Sequence, residues 1–288
     1  MSDARHFRTD QAINPYYSDS PLNPEKAQEE HQAIQYAFRQ AGISVIPVVS
    51  PETSQDGVYT ANWALVRGST AILARLPDVR KSEESYARQL LEAHGLTVVS
   101  VPDGLHFSGQ GDALACGNYL FCGKGYRSDE AAQKFAADTL GYTRIQLQAL
   151  PQRDSFGKPL INPVSGWADS FFYDIDLAIS IIRAPEIDSA SQAVTPGIVA
   201  YCPDALTKES AEKIEALPDI DTIHVSLYEA QQKFACNLVS TGETVIMGDG
   251  ALELKGNLEA HGLTVVTPHI EELAKGGGYV RCTSLTLA

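Results

Sequence analysis

The fold class predicted by this 288-residue chain is mixed α/β, arranged as a closed ring of five repeated units. Two observations lead there. The nonapeptide LEAHGLTVV occurs at 91–99 and again at 258–266, each copy ending a helical stretch and opening a strand-like one. The same grammar, an amphipathic run closed by Gly or Pro and followed by a β-branched strand, recurs in FRQAGISVIPVV (38–49), ADTLGYTRIQLQ (137–148) and EALPDIDTIHVSL (215–227).

Each unit has a physical rationale. Gly42, Gly95, Gly141 and Gly262 can take the left-handed conformation that ends a helix, and Pro218 with Asp219 serves the remaining unit. A polar turn follows every unit, then short apolar strands: 62–74, 112–123, 176–180 with a partner, 236–247 and 282–288. Arg67-Gly68-Ser69, Cys116-Gly117-Asn118 and Ser240-Thr241-Gly242 have the Gly and polar content of tight hairpins. The last unit lacks a following strand, and INPYY (13–17) is expected to supply it and close the ring. Segments 151–170 and 184–196 read as loop insertions in the third unit. With no Gly/Ser- or Pro-rich linker, residues 1–288 are expected to form one domain in which each unit buries its own face.

Composition narrows the function. The start MSDARHFRTD has no apolar core, and no apolar run reaches about 18 residues, so a soluble cytoplasmic protein is expected, with no membrane partner. Five cysteines without short paired spacing read as reduced thiols, and Cys116, Cys122, Cys202 and Cys236 as small buried hydrophobes. The net charge of −14 disfavours nucleic acid and welcomes a small cation. No HExxH, Cys pair, EF-hand loop or phosphate loop is present, so neither a metal nor a cofactor is expected. Homo-oligomerisation is left open.

In a ring the turns after equivalent helix–strand pairs reach the same end of the axis. The polar residues there are Asp56 and Asn62, then Ser108 and Asp112, then Asp174 and Asp176, then Asn237, and finally Cys282. One thiol thus faces several carboxylates. Carboxylates raise a thiol pKa, which makes little sense for activation unless the substrate is itself a cation. A guanidinium clamped by Asp112 and Asp176 would favour the thiolate and present its carbon to Cys282. The run Gly276 to Gly278 is read as letting the backbone approach a ligand and leaving amides free to bind it. His106, two residues before Ser108, is the histidine that could point inward; His94 and His261 are placed as surface caps at helix ends.

GGGYVRCTSL, with DGVYTANWALV, GQGDAL, GKGYRSD and ACNLV, resembles the guanidine-modifying pentein superfamily, which includes arginine deiminase, dimethylarginine dimethylaminohydrolase and amidinotransferases. The resemblance runs from about residue 13 to the C-terminus. It implies a pseudo-fivefold α/β propeller of ββαβ units, with Cys282 as nucleophile, Asp112 and Asp176 as guanidinium ligands and Arg127 meeting a substrate carboxylate. Two positions depart from the pattern: Asp174 stands where the family has its catalytic His, and Ser108 where it has Glu. An ordinary Asp has no proton to give at pH 7, so Asp174 could replace the His only if neighbouring carboxylates kept it protonated. The expected function is hydrolysis of a guanidino compound of the arginine or methylarginine type, with amidino transfer or a catalytically silent binder of a cation or protein as alternatives. Asp174, or else His106, would carry the proton, while Asp56, Asn62, Ser108, Asn237 and Arg127 would surround the ligand.

Overall fold

Four times along the chain an antiparallel hairpin is followed by a helix and a strand that returns parallel to the hairpin's second strand. In the computed structural model, which describes residues 1–17, 20–188, 191 and 193–287, a first helix α1 (Pro24–Gln40) precedes these units. The first unit is β1 (Ala64–Arg67), β2 (Thr70–Leu73), α2 (Ser82–Ala93) and β3 (Thr97–Ser100). The second is β4 (Ala113–Cys116), β5 (Tyr119–Gly123), α3 (Glu130–Leu140) and β6 (Thr143–Leu147). The third runs β7 (Ile179–Arg183), β10 (Gly197–Tyr201), α4 (Lys208–Glu215) and β11 (Ile220–His224), with the hairpin β8 (Glu186–Ile187) and β9 (Val194–Thr195) inserted. After α5 (Leu227–Lys233) comes the fourth, with β12 (Val239–Ser240), β13 (Thr244–Ile246), α6 (Leu252–Ala260) and β14 (Thr264–Val266). Each forms its own three-stranded sheet, with one antiparallel and one parallel pairing. This is the ββαβ ring of the α/β propeller.

Helix ends follow the local chemistry. Gly42, Gly95, Gly141 and Gly262 all have φ between 71° and 81°, the left-handed region a Cβ disfavours. The fourth junction differs: Ala216 keeps right-handed geometry, and the chain leaves the helix directly into Leu217-Pro218. His94 and His261 cap α2 and α6 from the surface, each ring nitrogen meeting the carbonyl four residues back.

The fifth sector is built from both ends of the chain, but not as the INPYY expectation had it. Ser2, not 13–17, bridges in parallel to Val48 after α1. INPYY is turn structure: Asn14 binds its own Tyr16 N–H through its side chain, a local bond that competes with a ladder. Ring closure rests on polar contacts. Glu30 of α1 accepts the N–H groups of Glu271, Glu272 and Leu273 at 2.9–3.0 Å, and Ala61 N–H donates to the Cys282 carbonyl at 3.0 Å. The apolar faces of the helices and sheets pack into the core around Phe38, Phe121, Leu147, Ile179 and Tyr201. No helix among the described residues is long and apolar enough to cross a membrane.

Candidate active site

The polar turns between units place the candidate residues. The 3-10 turns Thr60–Trp63, Gly109–Gly111 and Ile175–Leu177 aim Asn62, Asp112, Asp174 and Asp176 inward, and all four are at most 3% exposed. Gly111 and Gly123 are required by these contacts. A Cβ on Gly111 would collide with Asn62 Nδ2 and Asp174 Oδ2, and one on Gly123 with Asp112 Oδ1.

Cys282 is the thiol of this cluster, 3% exposed, with Sγ 3.5 Å from Asp176 Oδ2. Asn237 clasps it from both sides: its amide donates to Sγ at 3.2 Å, and its Oδ1 accepts the Cys282 N–H at 3.1 Å. Asn62 donates to Asp174 Oδ2 at 2.7 Å and to the Ser108 hydroxyl at 2.8 Å. Its own Oδ1 is held by Arg80 Nη1 at 2.7 Å, and Arg80 is paired with Glu83 in full burial. Asp112 accepts the Ile175 N–H at 3.1 Å.

Three carboxyl oxygens are left over. Asp112 Oδ2, Asp174 Oδ1 and Asp176 Oδ1 are buried with no hydrogen-bond partner, as is the Tyr16 hydroxyl. Buried polar atoms are nearly always satisfied, so four orphans around one thiol mark a place built for a ligand. Burial, reinforced by the Asp174 charge, pushes Asp112 and Asp176 well above the usual carboxylate range. Burial raises Asp174 too, against the pull of Arg127 and the Asn62 bond. The Cys282 thiol is driven well up by burial and by Asp176, so it rests uncharged.

Other candidates stand further out. Both Asp56 oxygens are engaged, one by Tyr17 at 2.6 Å and one by Gln55 at 3.2 Å. Arg127 is buried, its Nη2 on the Ile13 carbonyl at 2.6 Å and its guanidinium over the Tyr173 ring at 4.8 Å. It lines a small outer cavity of about 120 Å³ that also holds His106 and Trp167. His106 is not in the thiol cluster: its side chain is 44% exposed and pairs with Asp129 at 3.3 Å. The reason is local, since Phe107 takes the core position and leaves the imidazole outside.

One further expectation is corrected. The glycine run meets protein rather than ligand: Cβ atoms at Gly276, Gly277 and Gly278 would strike Phe7, Asn14 and Tyr59. Its carbonyls and amides are also taken, with Gly276 O accepting from Asn14, Gly277 O from Tyr173 and Gly277 N–H donating to Ala274.

The INPYY segment approaches the cluster through Tyr16. Tyr16 packs on Phe171 and Phe234 and lies within electrostatic reach of Cys282. Sequence reasoning missed Tyr16 and Arg80; the turn residues Asn14-Pro15 were the available sign that 13–17 is not a strand.

The comparisons with known proteins agree with this architecture. The bifunctional arginine dihydrolase/ornithine cyclodeaminase AgrE of Nostoc sp. is 28% identical over 97% of this chain, and the chain spans 36% of that protein's length. The N(G),N(G)-dimethylarginine dimethylaminohydrolase of Mycobacterium tuberculosis is 27% identical over 100% of the chain and 84% of its own. The crystal structure of the substrate-bound N-terminal domain of ArgZ, a cyanobacterial arginine dihydrolase, superposes with a TM-score of 0.82 at 26% identity, covering 99% of this chain and 96% of that one. Residues 7–160 match the family described as N,N dimethylarginine dimethylhydrolase, eukaryotic, so the chain belongs to that family, within the guanidine-modifying pentein superfamily.

Proposed function

We propose that this chain is a cysteine-dependent hydrolase of a guanidino compound of the arginine or methylarginine type, with residues 1–288 acting as one closed domain in the cytoplasm. The observation that carries the reading is the set of three unpartnered carboxyl oxygens around the Cys282 sulfur. A guanidinium supplies N–H donors in a planar fork that can satisfy Asp112 and Asp176 together. Relatives fit this chemistry: the ArgZ N-terminal domain has been crystallised bound to substrate and covalently bound to a reaction intermediate.

The bound cation offsets the two effects that keep the thiol neutral, its burial and the negative charge of Asp176. The thiol proton is released to solvent as the cation binds, and the thiolate Sγ then attacks the guanidinium carbon, forming an S–C bond. The C–N bond breaks as the departing amine takes a proton, leaving a thiouronium on Cys282. Water adds to that carbon, the S–C bond breaks and the thiolate returns. In this reading Asp174 supplies the proton. Asn62 occupies its Oδ2, so Oδ1 is the oxygen free to carry and pass one.

A second reading, a silent binder of a guanidino cation, is favoured by one observation: a carboxyl stands where the family has an imidazole. Amidino transfer differs only in that an amine replaces water in the second step. The test is incubation with arginine and with methylated arginines, with amine and ureido products quantified and Cys282 examined by intact-protein and peptide mass spectrometry. A Cys282 adduct with released amine supports the hydrolase. Ligand binding with neither product nor adduct supports the binder.

A further inference from the structure

A larger cavity, of about 430 Å³, is lined by the hairpin-turn residues Arg67 and Ser240 to Gly242, and neither Arg127 nor INPYY contributes to it. The first strands β1, β4, β7 and β12 all contribute to its wall. Three arginines face it from three sectors: Arg67 at the end of β1, Arg183 at the end of β7 and Arg281 in the last turn. Among the described residues six of the twelve arginines pair with carboxylates, including Arg75 with Asp103, Arg88 with Glu92 and Arg144 with Glu130. None of these three forms such an ion pair among the described residues.

They are fixed without being neutralised. Arg67 donates to the carbonyls of Leu140 and Gly141 and to Asn118 Oδ1, with its guanidinium stacked 4.1 Å over Tyr142. Arg281 donates to the Ser284 carbonyl and to Gln110 Oε1. Arg183 is different: its Nε is buried and has no partner. A buried guanidinium N–H without an acceptor costs stability unless something fills the space in front of it. Two carboxyl groups also line the cavity, Asp176 on the side of the thiol cluster and Glu186 at the exposed rim.

We infer that this cavity is a binding site for a small oxyanion, a carboxylate or phosphate group, adjoining the guanidino site at Cys282 through Asp176 but centred on Arg183. In a chain of net charge −14, three arginines without an ion pair around one cavity, against two lining carboxyls, run against the general field. The unpartnered Nε of Arg183 suits a carboxylate or phosphate oxygen, and the volume is that of a small-molecule pocket.

The test titrates inorganic phosphate and, separately, succinate into the full chain by calorimetry. Saturable one-to-one binding of at least one is expected, and whichever binds identifies the chemical source. Arg183→Gln should weaken it at least about tenfold, the scale of losing a charge-assisted hydrogen bond, and Arg183→Lys by less. Cys282→Ser should bind the anion as the parent does, because Cys282 is not in the cavity wall. Three results overturn the inference: no saturable binding of either anion, equal affinity in Arg183→Gln, or loss of binding in Cys282→Ser. Should Arg183→Gln fail to fold, Arg183→Lys decides, since unchanged affinity without the fork is equally fatal.

Discussion

The sulfur of Cys282 and Oδ2 of Asp176 are 3.5 Å apart in a buried site, where burial and Asp176 oppose ionisation of the thiol, and burial with the Asp174 charge outweighs the thiol hydrogen bond and holds Asp176 protonated. Neither group can carry its charge cheaply until a cation arrives between them. Ligand binding and activation of the nucleophile are therefore one event, and this coupling can be measured.

Guanidino-ligand affinity should rise with pH, with protons released on binding, because the carboxyls are held protonated above their ordinary range when the site is empty. Calorimetry in buffers of different ionisation enthalpy reads the release directly. The same shift sets a stability effect. A carboxyl whose folded pKa lies above its unfolded value binds its proton more tightly when folded, so stability falls as pH rises from the ordinary carboxylate pKa through the raised one. Asp176→Asn should thus raise Tm at pH 7 by about 2–4 °C, with the gain fading below about pH 4, while ligand affinity is lost. A variant less stable than its parent at pH 7 would contradict this.

Asp174 should separate catalysis from binding. Asp174→Asn keeps shape and the polar contact to Asn62 but has no transferable proton, so turnover should drop at least about a hundredfold while binding stays nearly intact. Asp174→His should preserve or raise activity from an active parent. A gain from an inactive parent would identify the silent binder. Equal activity in both variants would make Asp174 structural.

Tyr16→Phe removes a buried hydroxyl that has no partner. Folding stability should hold or rise slightly, since an unsatisfied polar atom costs on the order of 1 kcal/mol. If that hydroxyl meets the ligand, KM should rise about tenfold with a smaller change in kcat. Unchanged kinetics would show that it faces away.

His31, fully buried in α1, is pushed down to about 4 by burial. A histidine with a folded pKa below its unfolded value of about 6.5 contributes stability that is present at neutral pH and lost as pH falls through that window. The loss should amount to roughly 3 kcal/mol between pH 6.5 and 4, read as a falling midpoint in urea, and His31→Leu should flatten it. A midpoint equally acid-sensitive in that variant would assign the effect elsewhere.

Much of the fold was legible because its signals are local. A glycine at the end of an amphipathic run, then a β-branched strand, then a polar turn and a hairpin carry their own backbone instructions, and repetition multiplied them. The failures were equally local in origin. INPYY looked apolar and aromatic enough for a strand, but Asn14 satisfies its own turn, and Ser2 takes the bridge to Val48. His106 was a matter of strand alternation, which Phe107 decided by claiming the core.

For the candidate site, sequence by itself determined which side chains are available: one thiol after a glycine run, carboxyls at equivalent turns, and an Asp where an imidazole is usual. It could not say that the space at the glycines is filled by Tyr59 and Asn14, that Arg80 orients Asn62, or that Tyr16 comes within electrostatic reach of the thiol. Those relations join residues from distant parts of the chain, such as Tyr59 with Leu273, and arise only when the ring closes. The protonation of the cluster belongs to the tertiary structure for the same reason. A carboxyl in a turn titrates normally in water, and only burial beside other carboxyls makes it hold its proton.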